Sequence, residues 1–477
     1  MSVPASRIRA LNDAPLRSDR PTVLYWMTAA RRCTWNFGLQ RAAELARTLG
    51  RPLIVLEGLR YDHPYASERF SRFVLEGMRD NAKACAGRAT YLPYLEPAPK
   101  AGSGLLAALA EQACAVVTDD FPTYFLPHML ESAARRLDVR FEAVDGNGLL
   151  PMAESDRMWP TARGFRTFIQ KRLPTHLGLS SFPAADPLVD LPVPVSLPVS
   201  IRERWVPTDL ARDDVPARQG PPPADLRGGA GAASERLDWF LREGLPQYEE
   251  GRNAPGREVC SRLSPYLHWG HISTHQVVDA VLRLTGASPG QLGGAGQRRG
   301  WWGATPDAEA FLDQLVTWRE LGFNACHNEP RHREFDTLPA WARQTLAQHA
   351  CDPRPHVYGV EQLRAAETHD RLWNAAQRQL LREGRIHNYL RMLWGKKILE
   401  WSPTPQEALA SMIELNDRYA LDGRDPNSYS GIFWTLGRYD RPWGPVRPIF
   451  GTVRYMSSDN TARKLDVKGY LARYAVI

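Results

Sequence analysis

The stretch PTVLYWMTAARRCTWNFGLQRAAELARTLGRPLIVLEGL, residues 21–59, decides the fold of the N-terminal part of the chain. It begins with an apolar strand, PTVLYWM, and continues with FGLQRAAELARTLG, in which apolar residues recur with helical spacing up to a glycine. It ends with a second apolar strand, PLIVLEGL. Strand, helix and strand in this order predict two parallel strands of one sheet, joined by a crossover helix.

The same alternation continues to about residue 148. A helix is predicted through ERFSRFVLEGMRDNAKA, and further strands are predicted at ATYLPYL, ACAVVTDDF and VRFEAVDG. Residues 1–150 are therefore expected to form a Rossmann-like α/β domain, with helices on both faces of a parallel sheet. Neither a GxGxxG motif after a strand nor a GxxxxGK[ST] motif occurs, so the usual dinucleotide and phosphate-loop signatures are missing.

The middle of the chain has the composition of a linker. Residues 185–233 include ADPLVDLPVPVSLPVS and QGPPPADLRGGAGAAS, which are rich in proline and glycine and lack periodicity. We interpret residues 151–234 as an interdomain linker and residues 235–477, where helical patterns dominate, as an all-α domain. The glycine-rich GGAGQRRGWWG at 293–303 follows a helical pattern, which favours a loop between helices over a phosphate cradle.

Composition narrows the class of protein. A chain of 477 residues and 53.7 kDa is expected to form two or three domains. Its 43% hydrophobic and 24% charged residues are typical of soluble globular proteins. It has no apolar run of roughly 18 residues and no N-terminal apolar block, which predicts a cytoplasmic protein without a membrane segment. A net charge of +7 permits an anionic partner.

The six cysteines are widely separated, and none forms a CxxC pair. This spacing argues against a zinc site, an iron–sulfur cluster and a disulfide framework. We therefore predict no bound metal and a reducing environment.

Tryptophan is frequent, with 15 residues, and two of them share one predicted helix, LRMLWGKKILEW at 390–401. Arg391, Trp394, Ile398 and Trp401 are spaced i, i+3, i+7 and i+10, which places them on one helix face. Seven residues of helix rise about 10 Å, a distance that electrons can cross between indoles. Core packing and an electron path both explain such a face.

A second motif, CSRLSPYLHWGHIS, places Ser264 directly before Pro265 at the start of an apolar helix. Serine at the N-cap and proline at the first helical position mark a helix start, so we predict that Ser264 caps this helix. The free N–H groups of a helix N-terminus, with the hydroxyls of Ser261 and Ser264, are an alternative site for a phosphate.

Two further segments carry an excess of polar or charged groups. In ELNDRYALDGRDPNSYSG these groups are Asn416, Asp417, Asp422, Arg424, Asp425 and Asn427. A turn explains about half of them, because Asn, Asp, Gly and Pro favour turns. Residues 438–473 hold eight Lys or Arg against three Asp or Glu, interleaved with aromatic residues. That pattern is typical of phosphate contacts beside stacking platforms, although a solvated basic surface remains an alternative.

Together these segments resemble the photolyase/cryptochrome family, and specifically the class II cyclobutane-pyrimidine-dimer photolyases. The resemblance covers roughly residues 235–475, with matching blocks in family order, and the N-terminal α/β layer matches in architecture. The blocks are LSPYLHWGHIS, FLDQLVTWREL, LWNAAQ, EGRIHNYLRMLWGKKILEW, LNDRYALDGRDPNSYSGIFW and RPIFGTVRYM.

The resemblance implies FAD bound within the helical domain. The residues that match cofactor-binding positions are Tyr248, Arg252, Asn253, Ser261, Leu263, Ser264, Arg391, Asn416, Asp422 and Arg424. Arg391 and Asp422 match a pair that closes around the isoalloxazine ring, and Asn416 matches an asparagine that faces flavin N5. A buried arginine needs a carboxylate, which agrees with the first of these matches.

The resemblance also assigns electron-transfer and DNA roles. Trp394, Trp401 and Trp373 match the class II tryptophan triad, which favours an electron relay over packing alone. The match places Glu320 at the lesion and Trp434 and Arg454 at the DNA. We expect Lys464, in the basic C-terminal segment, to bind DNA as well. The resemblance implies light-driven repair of a pyrimidine dimer flipped out of double-stranded DNA.

Two alternatives share these features: a cryptochrome-type light sensor, and a flavoprotein that binds nucleic acid without photochemistry. The chain departs from the family where it reads WRELGFNACHNEPRH, beside the lesion pocket, and where it reads TAARRCTWNFGLQ near the N-terminus. The second segment bears on a possible antenna chromophore, a deazaflavin or a folate. We expect a monomer that acts on DNA in the cytoplasm of a bacterial-type cell.

Overall fold

The structure, a computed structural model, describes residues 2–178, 181–213, 215, 220–287 and 294–475. The chain forms two compact units. The first unit consists of Met1–Asp156, Arg172–Asp238 and Arg262–Leu284, and the second consists of Arg157–Lys171, Trp239–Ser261 and Thr285–Ile477. These interleaved units do not follow the predicted boundaries at residues 150 and 234. The predicted division into residues 1–150, 151–234 and 235–477 stays a prediction.

The first unit contains a six-stranded sheet in the order β1-β6-β5-β2-β3-β4. The strands are β1 (Ile8–Ala10), β2 (Thr22–Met27), β3 (Leu53–Leu59), β4 (Thr90–Leu95), β5 (Ala113–Asp119) and β6 (Phe141–Val144). All neighbouring strands pair in parallel except β1, which pairs antiparallel with β6. This is the order of a doubly wound α/β sheet, with its topological switch between β2 and β5.

The α-helices follow the predicted pattern in most of the chain. They are α1 (Phe37–Leu49), α2 (Glu68–Cys85), α3 (Leu105–Ala110), α4 (Leu126–Ala134), α5 (Ala162–Arg172), α6 (Val199–Arg204), α7 (Ala230–Trp239), α8 (Tyr248–Gly251), α9 (Ser264–His268), α10 (Thr274–Thr285), α11 (Pro306–Leu312), α12 (Arg319–Asn328), α13 (Ala340–Gln348), α14 (Val360–Ala365), α15 (Arg371–Glu383), α16 (Asn388–Trp401), α17 (Pro405–Tyr419), α18 (Pro426–Thr435), α19 (Ser458–Lys464) and α20 (Lys468–Arg473). Short 3-10 helices lie at Ala5–Arg7, Met152–Glu154, Leu173–Thr175, Leu245–Gln247 and Phe335–Thr337, and π-helical turns at Phe240–Gly244 and Asp313–Trp318.

The sheet forms because its strands are apolar on both faces. Every residue of β5 is buried, and β2 and β3 each have a single half-buried residue. One apolar cluster lies around α1 and the other around α3 and α4. Gly50 ends α1 in the left-handed conformation, with φ 61°, and its N–H donates to the carbonyl groups of Ala46 and Arg47. The predicted parallel α/β layer is confirmed.

The predicted linker is more ordered than its composition indicates. It contains α5 and α6, and its residues Leu188, Leu197, Ile201 and Trp205 are buried in the apolar clusters of the sheet. Apolar side chains between the prolines thus anchor residues 188–205 of this segment to the sheet of the first unit. Residues 179, 180, 214 and 216–219 of the linker and residue 293 of the glycine-rich loop lie outside the described residues.

The second unit is built around one large apolar cluster, to which α15, α16, α17 and α18 contribute most. In this unit the segment FLDQLVTWRELGFNA is not one continuous α-helix. A π-helical turn, Asp313–Trp318, separates α11 from α12. Asp313 accepts two hydrogen bonds from Arg166 of α5, of 2.7 and 3.1 Å, a tertiary contact that helical spacing does not encode. Such π-helical turns occur frequently at functional sites.

Among the described residues, no helix combines the length and the apolar composition needed to cross a membrane. In the same part of the chain, no group of three or more His, Cys, Asp or Glu side chains is arranged to hold a metal ion.

Candidate active site

A buried turn after α17 organises the polar residues of ELNDRYALDGRDPNSYSG. The Asp417 carboxylate is completely buried and accepts hydrogen bonds from the N–H of Arg424 at 3.0 Å and the hydroxyl of Tyr429 at 2.8 Å. Burial raises the pKa of Asp417. Arg424 has a φ of 65° and donates from its side chain to the carbonyl groups of Asp417 and Gly423. Arg424 thus stabilises the turn, and its predicted contact with a cofactor stays a prediction.

The turn fixes Asn416 at the end of α17. Its amide nitrogen donates to the Ser428 hydroxyl at 2.6 Å and to an Asp417 carboxylate oxygen at 3.1 Å. Both amide hydrogens are therefore engaged within the protein, and the amide oxygen is the atom that Asn416 can offer to a ligand. The spacing of residues in the sequence did not indicate which atom of the Asn416 amide would be engaged within the protein.

Asp422, in the same turn, forms an ion pair with Arg391 of α16. The two Arg391 terminal nitrogens lie 2.8 and 3.3 Å from the two Asp422 carboxylate oxygens. The predicted pairing of these residues is thus present in the structure. Within the described residues, the buried Nε of Arg391 has no hydrogen-bond partner. An unsatisfied buried donor costs about 1–3 kcal/mol, which indicates that a ligand acceptor belongs here.

A second group of predicted cofactor residues surrounds the short helix α8. Tyr248 is buried, which raises the pKa of its hydroxyl, and the Arg252 guanidinium lies 5.8 Å from its ring centroid. The Arg252 Nε is buried and lacks a hydrogen-bond partner among the described residues, as the Nε of Arg391 does. Asn253 is exposed and Ser261 is half-buried. The donor set of this unit therefore fits an anionic, hydrogen-bond-accepting cofactor such as FAD.

Leu263 and Ser264 belong to the first unit. The prediction that Ser264 caps α9 is wrong by one position. Leu263, with helical φ and ψ of −83° and −9°, occupies the N-cap, no side-chain cap is formed, and exposed Ser264 is the first residue of the helix. Because α9 has only five residues, its N-terminus by itself gives the alternative phosphate site no support. Contact of Leu263 or Ser264 with a cofactor stays a prediction.

The three predicted triad tryptophans form a row in an order that the sequence did not indicate. Trp373 lies between the other two: its ring is parallel to that of Trp394, with centroids 6.5 Å apart, and its centroid is 5.5 Å from that of Trp401. Asp370 caps α15 by accepting from the N–H groups of Leu372 and Trp373, which places Trp373 in the first turn. The row thus passes from α16 to α15 and back to α16.

Hydrogen bonds fix the orientation of two of these rings, Trp373 and Trp394. The Trp373 indole nitrogen donates to the Trp394 carbonyl at 3.0 Å, and the Trp394 indole nitrogen donates to the Gln377 side-chain oxygen at 2.9 Å. All three indoles are buried. Rings in edge or stacked contact, held by polar anchors in a low-dielectric core, can pass an electron without moving.

Glu320 lies in the first turn of α12, directly after the π-helical turn, and is buried. Two residues later, Gly322 allows a close approach between α12 and the start of α18. A Cβ at this position would lie 2.8 Å from the Pro426 carbonyl oxygen and 2.9 Å from the Asn427 nitrogen. The glycine therefore fixes α12, and with it the Glu320 backbone, against the end of the buried turn.

The predicted DNA residues Trp434 and Arg454 lie together. The Arg454 guanidinium is 5.6 Å from the Trp434 ring centroid and 4.0 Å from that of Trp443. Asp440 accepts from Arg454 Nε and from the Trp443 indole nitrogen, both at 3.0 Å. We call these four residues the aromatic–cationic platform. Sequence reasoning missed the anchoring role of Asp440. Lys464 is exposed at the end of α19.

A cavity of about 530 Å³ lies in the first unit. It lies beyond the carboxyl ends of β2, β3 and β4, where open α/β sheets bind ligands. Aromatic side chains in its lining are Trp26, Tyr94 and Phe125, and basic ones are Arg31, Arg60, Lys100 and Arg136. The cavity can therefore hold an aromatic molecule that carries negative charge.

The chain is similar to curated photo-lyases over nearly its full length. It is 35% identical to the deoxyribodipyrimidine photo-lyase of Methanothermobacter thermautotrophicus over 471 residues, which is 98% of each chain. It is 34% identical to that of Oryza sativa subsp. japonica, covering 98% of this chain and 90% of the relative. The corresponding values for Potorous tridactylus are 32%, 97% and 83%. No family model matches the chain.

Two solved structures share the fold. The class III photolyase from Agrobacterium tumefaciens superposes with a TM-score of 0.66 at 18% identity, covering 97% of this chain and 87% of the other. The cryptochrome of Synechocystis sp. PCC6803 superposes with a TM-score of 0.65 at 16% identity, covering 95% and 88%. The α/β and all-α architecture is thus that of photolyases and cryptochromes. On its near full-length identity to curated relatives, the chain belongs to the deoxyribodipyrimidine photo-lyase family.

Proposed function

We propose that this protein repairs cyclobutane pyrimidine dimers in double-stranded DNA with light, as a class II photolyase. The observation that carries the proposal is the buried row Trp394–Trp373–Trp401, whose two end members share α16 with Arg391, the arginine paired with Asp422. Near full-length identity to curated photo-lyases supports the same activity. Bound FAD in its reduced form would supply the chemistry, light-driven donation of one electron to the dimer and its recovery after the ring has split.

The protein groups have separate tasks in this proposal. Arg391 holds an acceptor atom of the cofactor. Asp422 balances the charge of Arg391, and the Arg391 Nε has no hydrogen-bond partner among the described residues. Asn416, with its amide hydrogens engaged, presents an oxygen of fixed orientation. Arg252 offers a second buried donor to the cofactor. The indole row carries electrons inward, which restores the reduced state in light.

Glu320 acts on the lesion in this proposal. A carboxyl group that donates a hydrogen bond to a pyrimidine carbonyl stabilises the negative charge which that carbonyl gains when an electron arrives. The buried position of Glu320 at the start of α12 supports such a role, because water does not screen the interaction there. The platform of Trp434, Trp443, Asp440 and Arg454 stacks on bases and pairs with phosphate.

The decisive experiment illuminates the reduced protein with an oligonucleotide that contains one pyrimidine dimer, and counts repaired bases. We expect repair by the parent protein, a partial yield with Glu320→Gln, which keeps a donor, and a lower yield with Glu320→Ala. Glu334→Ala is the control, since Glu334 is an exposed glutamate between α12 and the 3-10 helix Phe335–Thr337, and its yield should equal that of the parent. FAD content and photoreduction should be normal in all three variants.

Two outcomes would contradict the proposal in different ways. A parent protein that binds FAD and photoreduces it, yet repairs no dimer, is a cryptochrome-type sensor. If Glu320→Ala repairs dimers as well as the parent does, Glu320 is not part of the site, although the repair activity of the protein stands.

We also propose that the cavity of the first unit binds an antenna chromophore, a deazaflavin or a folate. Its aromatic and basic lining supports this, because both chromophores combine an aromatic ring system with an anionic tail. After the chromophore is added, its absorption band should appear in the excitation spectrum of flavin fluorescence, because an antenna transfers its excitation energy to the flavin. Gly58 lines the cavity, and a Cβ at that position meets no atom within 4 Å. Gly58→Leu should therefore abolish chromophore binding and leave FAD content unchanged; unchanged chromophore binding in this variant would argue against the site.

A further inference from the structure

Lys396 is a completely buried lysine in the middle of α16. Its ammonium donates to the Thr435 carbonyl at 2.6 Å, at the C-terminal end of α18, and lies 5.1 Å from the Trp434 ring centroid. The preceding residue, Gly395, brings the two helices together, since a Cβ there would lie 2.6 Å from the Thr435 side chain. A cation at a helix C-terminus is favourable, because the last carbonyl groups there carry partial negative charge.

Lys396 supports the aromatic–cationic platform from the interior. Trp434 lies within reach of two cations, buried Lys396 at 5.1 Å and half-buried Arg454 at 5.6 Å. The same Arg454 is held by Asp440 and lies over Trp443. The electrostatic environment of Trp434 therefore depends on the charge of a lysine that solvent does not reach.

We propose that Lys396 is a positioning residue for DNA, whose ammonium fixes the end of α18 and the Trp434 ring for contact with the lesion, and that binding of dimer-containing DNA is coupled to uptake of a proton at this amine. This inference rests on the proposed repair function. It adds that the protonation of Lys396 regulates DNA binding at the aromatic–cationic platform. The chemical partner is the phosphate backbone of the DNA. Its negative charge, placed against Arg454, weakens the repulsion between Arg454 and Lys396.

The Lys396 amine gains or loses its proton near neutral pH. Burial lowers its pKa to about 7; of the charged groups that face it, Asp440 raises the pKa and Arg454 lowers it. A phosphate that neutralises Arg454 weakens the repulsion and favours the charged amine. DNA should therefore bind the protonated form more tightly, and affinity should fall as the pH rises through about 7.

The test compares the parent with Lys396→Met, which keeps the length of the side chain and removes its charge. Affinity for a dimer-containing duplex and for the same undamaged duplex is measured by fluorescence anisotropy between about pH 6 and about pH 8.5 at constant ionic strength. In the parent, affinity for the dimer should fall about tenfold over this range. In Lys396→Met, the pH dependence should flatten, and preference for the dimer should be about tenfold lower at the acidic end.

Lys397→Met is the matched control. Lys397 is the adjacent residue of α16, but it pairs with Glu400 and lies over Trp401, 5.5 Å from the ring centroid. This variant should keep the parent's dimer preference and its pH profile. A Lys396→Met protein with the parent's profile, or a Lys397→Met protein with the flattened one, would overturn the proposal.

A measurement on the parent alone keeps the proposal falsifiable if Lys396→Met does not fold. Titration calorimetry of the dimer-containing duplex in buffers of different ionisation enthalpy reports the protons taken up on binding. We expect net uptake near pH 7, and its absence would overturn the proposal. A parent that repairs dimers without proton uptake defeats this inference alone, whereas a parent that does not recognise dimers defeats the proposed function as well.

Discussion

Trp373 of α15 lies parallel to Trp394 of α16, with ring planes 2° apart and centroids separated by 6.5 Å. Because Trp401 contacts Trp373 at 5.5 Å, the residue from the neighbouring helix is the central member of the row. The two tryptophans on one helix face are therefore its ends, and electron passage between them depends on Trp373.

The first prediction concerns Trp373→Phe. Phenylalanine fills most of the space but is much harder to oxidise, so photoreduction of oxidised flavin should be slowed as strongly as in Trp394→Phe. Loss of the bond to the Trp394 carbonyl should lower stability by about 1–2 kcal/mol. Transient absorption after a light pulse measures the first effect and urea unfolding the second.

Trp302→Phe is the control for this experiment, because Trp302 is also buried in the second unit and packs against Trp301. Its photoreduction should match that of the parent. Repair that starts from chemically reduced Trp373→Phe should survive. Unchanged photoreduction in Trp373→Phe would mean that the row is only packing.

Helical spacing alone predicted that Trp394 and Trp401 share a face of α16, because that periodicity is local. It could not place Trp373 between them, since the packing of α15 on α16 brings these rings together. The π-helical turn before Glu320 escaped prediction for the same reason: its stabilising contact, between Asp313 and Arg166, joins residues far apart in sequence. The strands of the sheet were readable because they are continuous apolar runs, whereas β1, with three mostly exposed residues, has no such signal.

The second prediction concerns cofactor retention. Asp422→Asn keeps the shape of the side chain but leaves the charge of Arg391 uncompensated. FAD affinity should fall about ten- to a hundredfold. Dialysis of the purified protein followed by the ratio of flavin to protein absorbance measures the loss. Glu414→Gln is the control, because Glu414 of α17 forms a comparable ion pair with Arg418 at 2.6 Å, and it should retain FAD. Equal FAD loss in both variants would show a general effect of ion-pair removal.

The third prediction uses two helical glycines of opposite environment. Gly322→Ala forces a Cβ against the backbone of Pro426 and Asn427, and should destabilise the protein by about 1–3 kcal/mol. Gly431 in α18 has no atom within 4 Å of a Cβ position, so Gly431→Ala should stabilise by about 0.5–1 kcal/mol through helix propensity. Urea unfolding measures both. Shifts of the same sign in the two variants would contradict the close approach of α12 to α18.

The fourth prediction separates phosphate contact from lesion recognition. Arg454→Ala should weaken damaged and undamaged duplexes alike, and lower the slope of log affinity against log salt by about 1. Trp434→Ala should mainly reduce the preference for the dimer, since a stacking platform distinguishes a flipped lesion from paired bases. Arg418→Ala is the control, because Arg418 forms its ion pair on α17. It should change neither the salt dependence of DNA affinity nor the preference for the dimer. Equal loss of dimer preference in Arg454→Ala and Trp434→Ala would contradict this division.

The last prediction concerns acid sensitivity of the first unit. His271 is buried against Phe73, with ring centroids 4.9 Å apart, and its Nδ1 accepts a hydrogen bond from the Gly229 N–H at 2.9 Å. Burial, with a smaller contribution from Arg31 and Arg32, lowers its pKa from 6.5 to about 3. Protonation would place a hydrogen on the very atom that accepts from Gly229, so the folded protein resists it.

The sign of the effect follows from proton binding. Between pH 6.5 and about 3 the unfolded chain binds a proton at His271 that the folded chain does not. The free energy of unfolding contributed by this residue is therefore fully present above pH 6.5 and is lost as the pH falls, by ~2–3 kcal/mol at about pH 4.5. His271→Gln should be less stable at pH 7, because it loses packing on Phe73, but its stability should fall less steeply with acid. Urea unfolding at a series of pH values measures both slopes. His128→Gln, at an exposed position of α4, should keep the parent's slope. If His271→Gln also keeps that slope, the acid sensitivity arises elsewhere, for example at buried His332 of the second unit, whose pKa burial lowers to about 4.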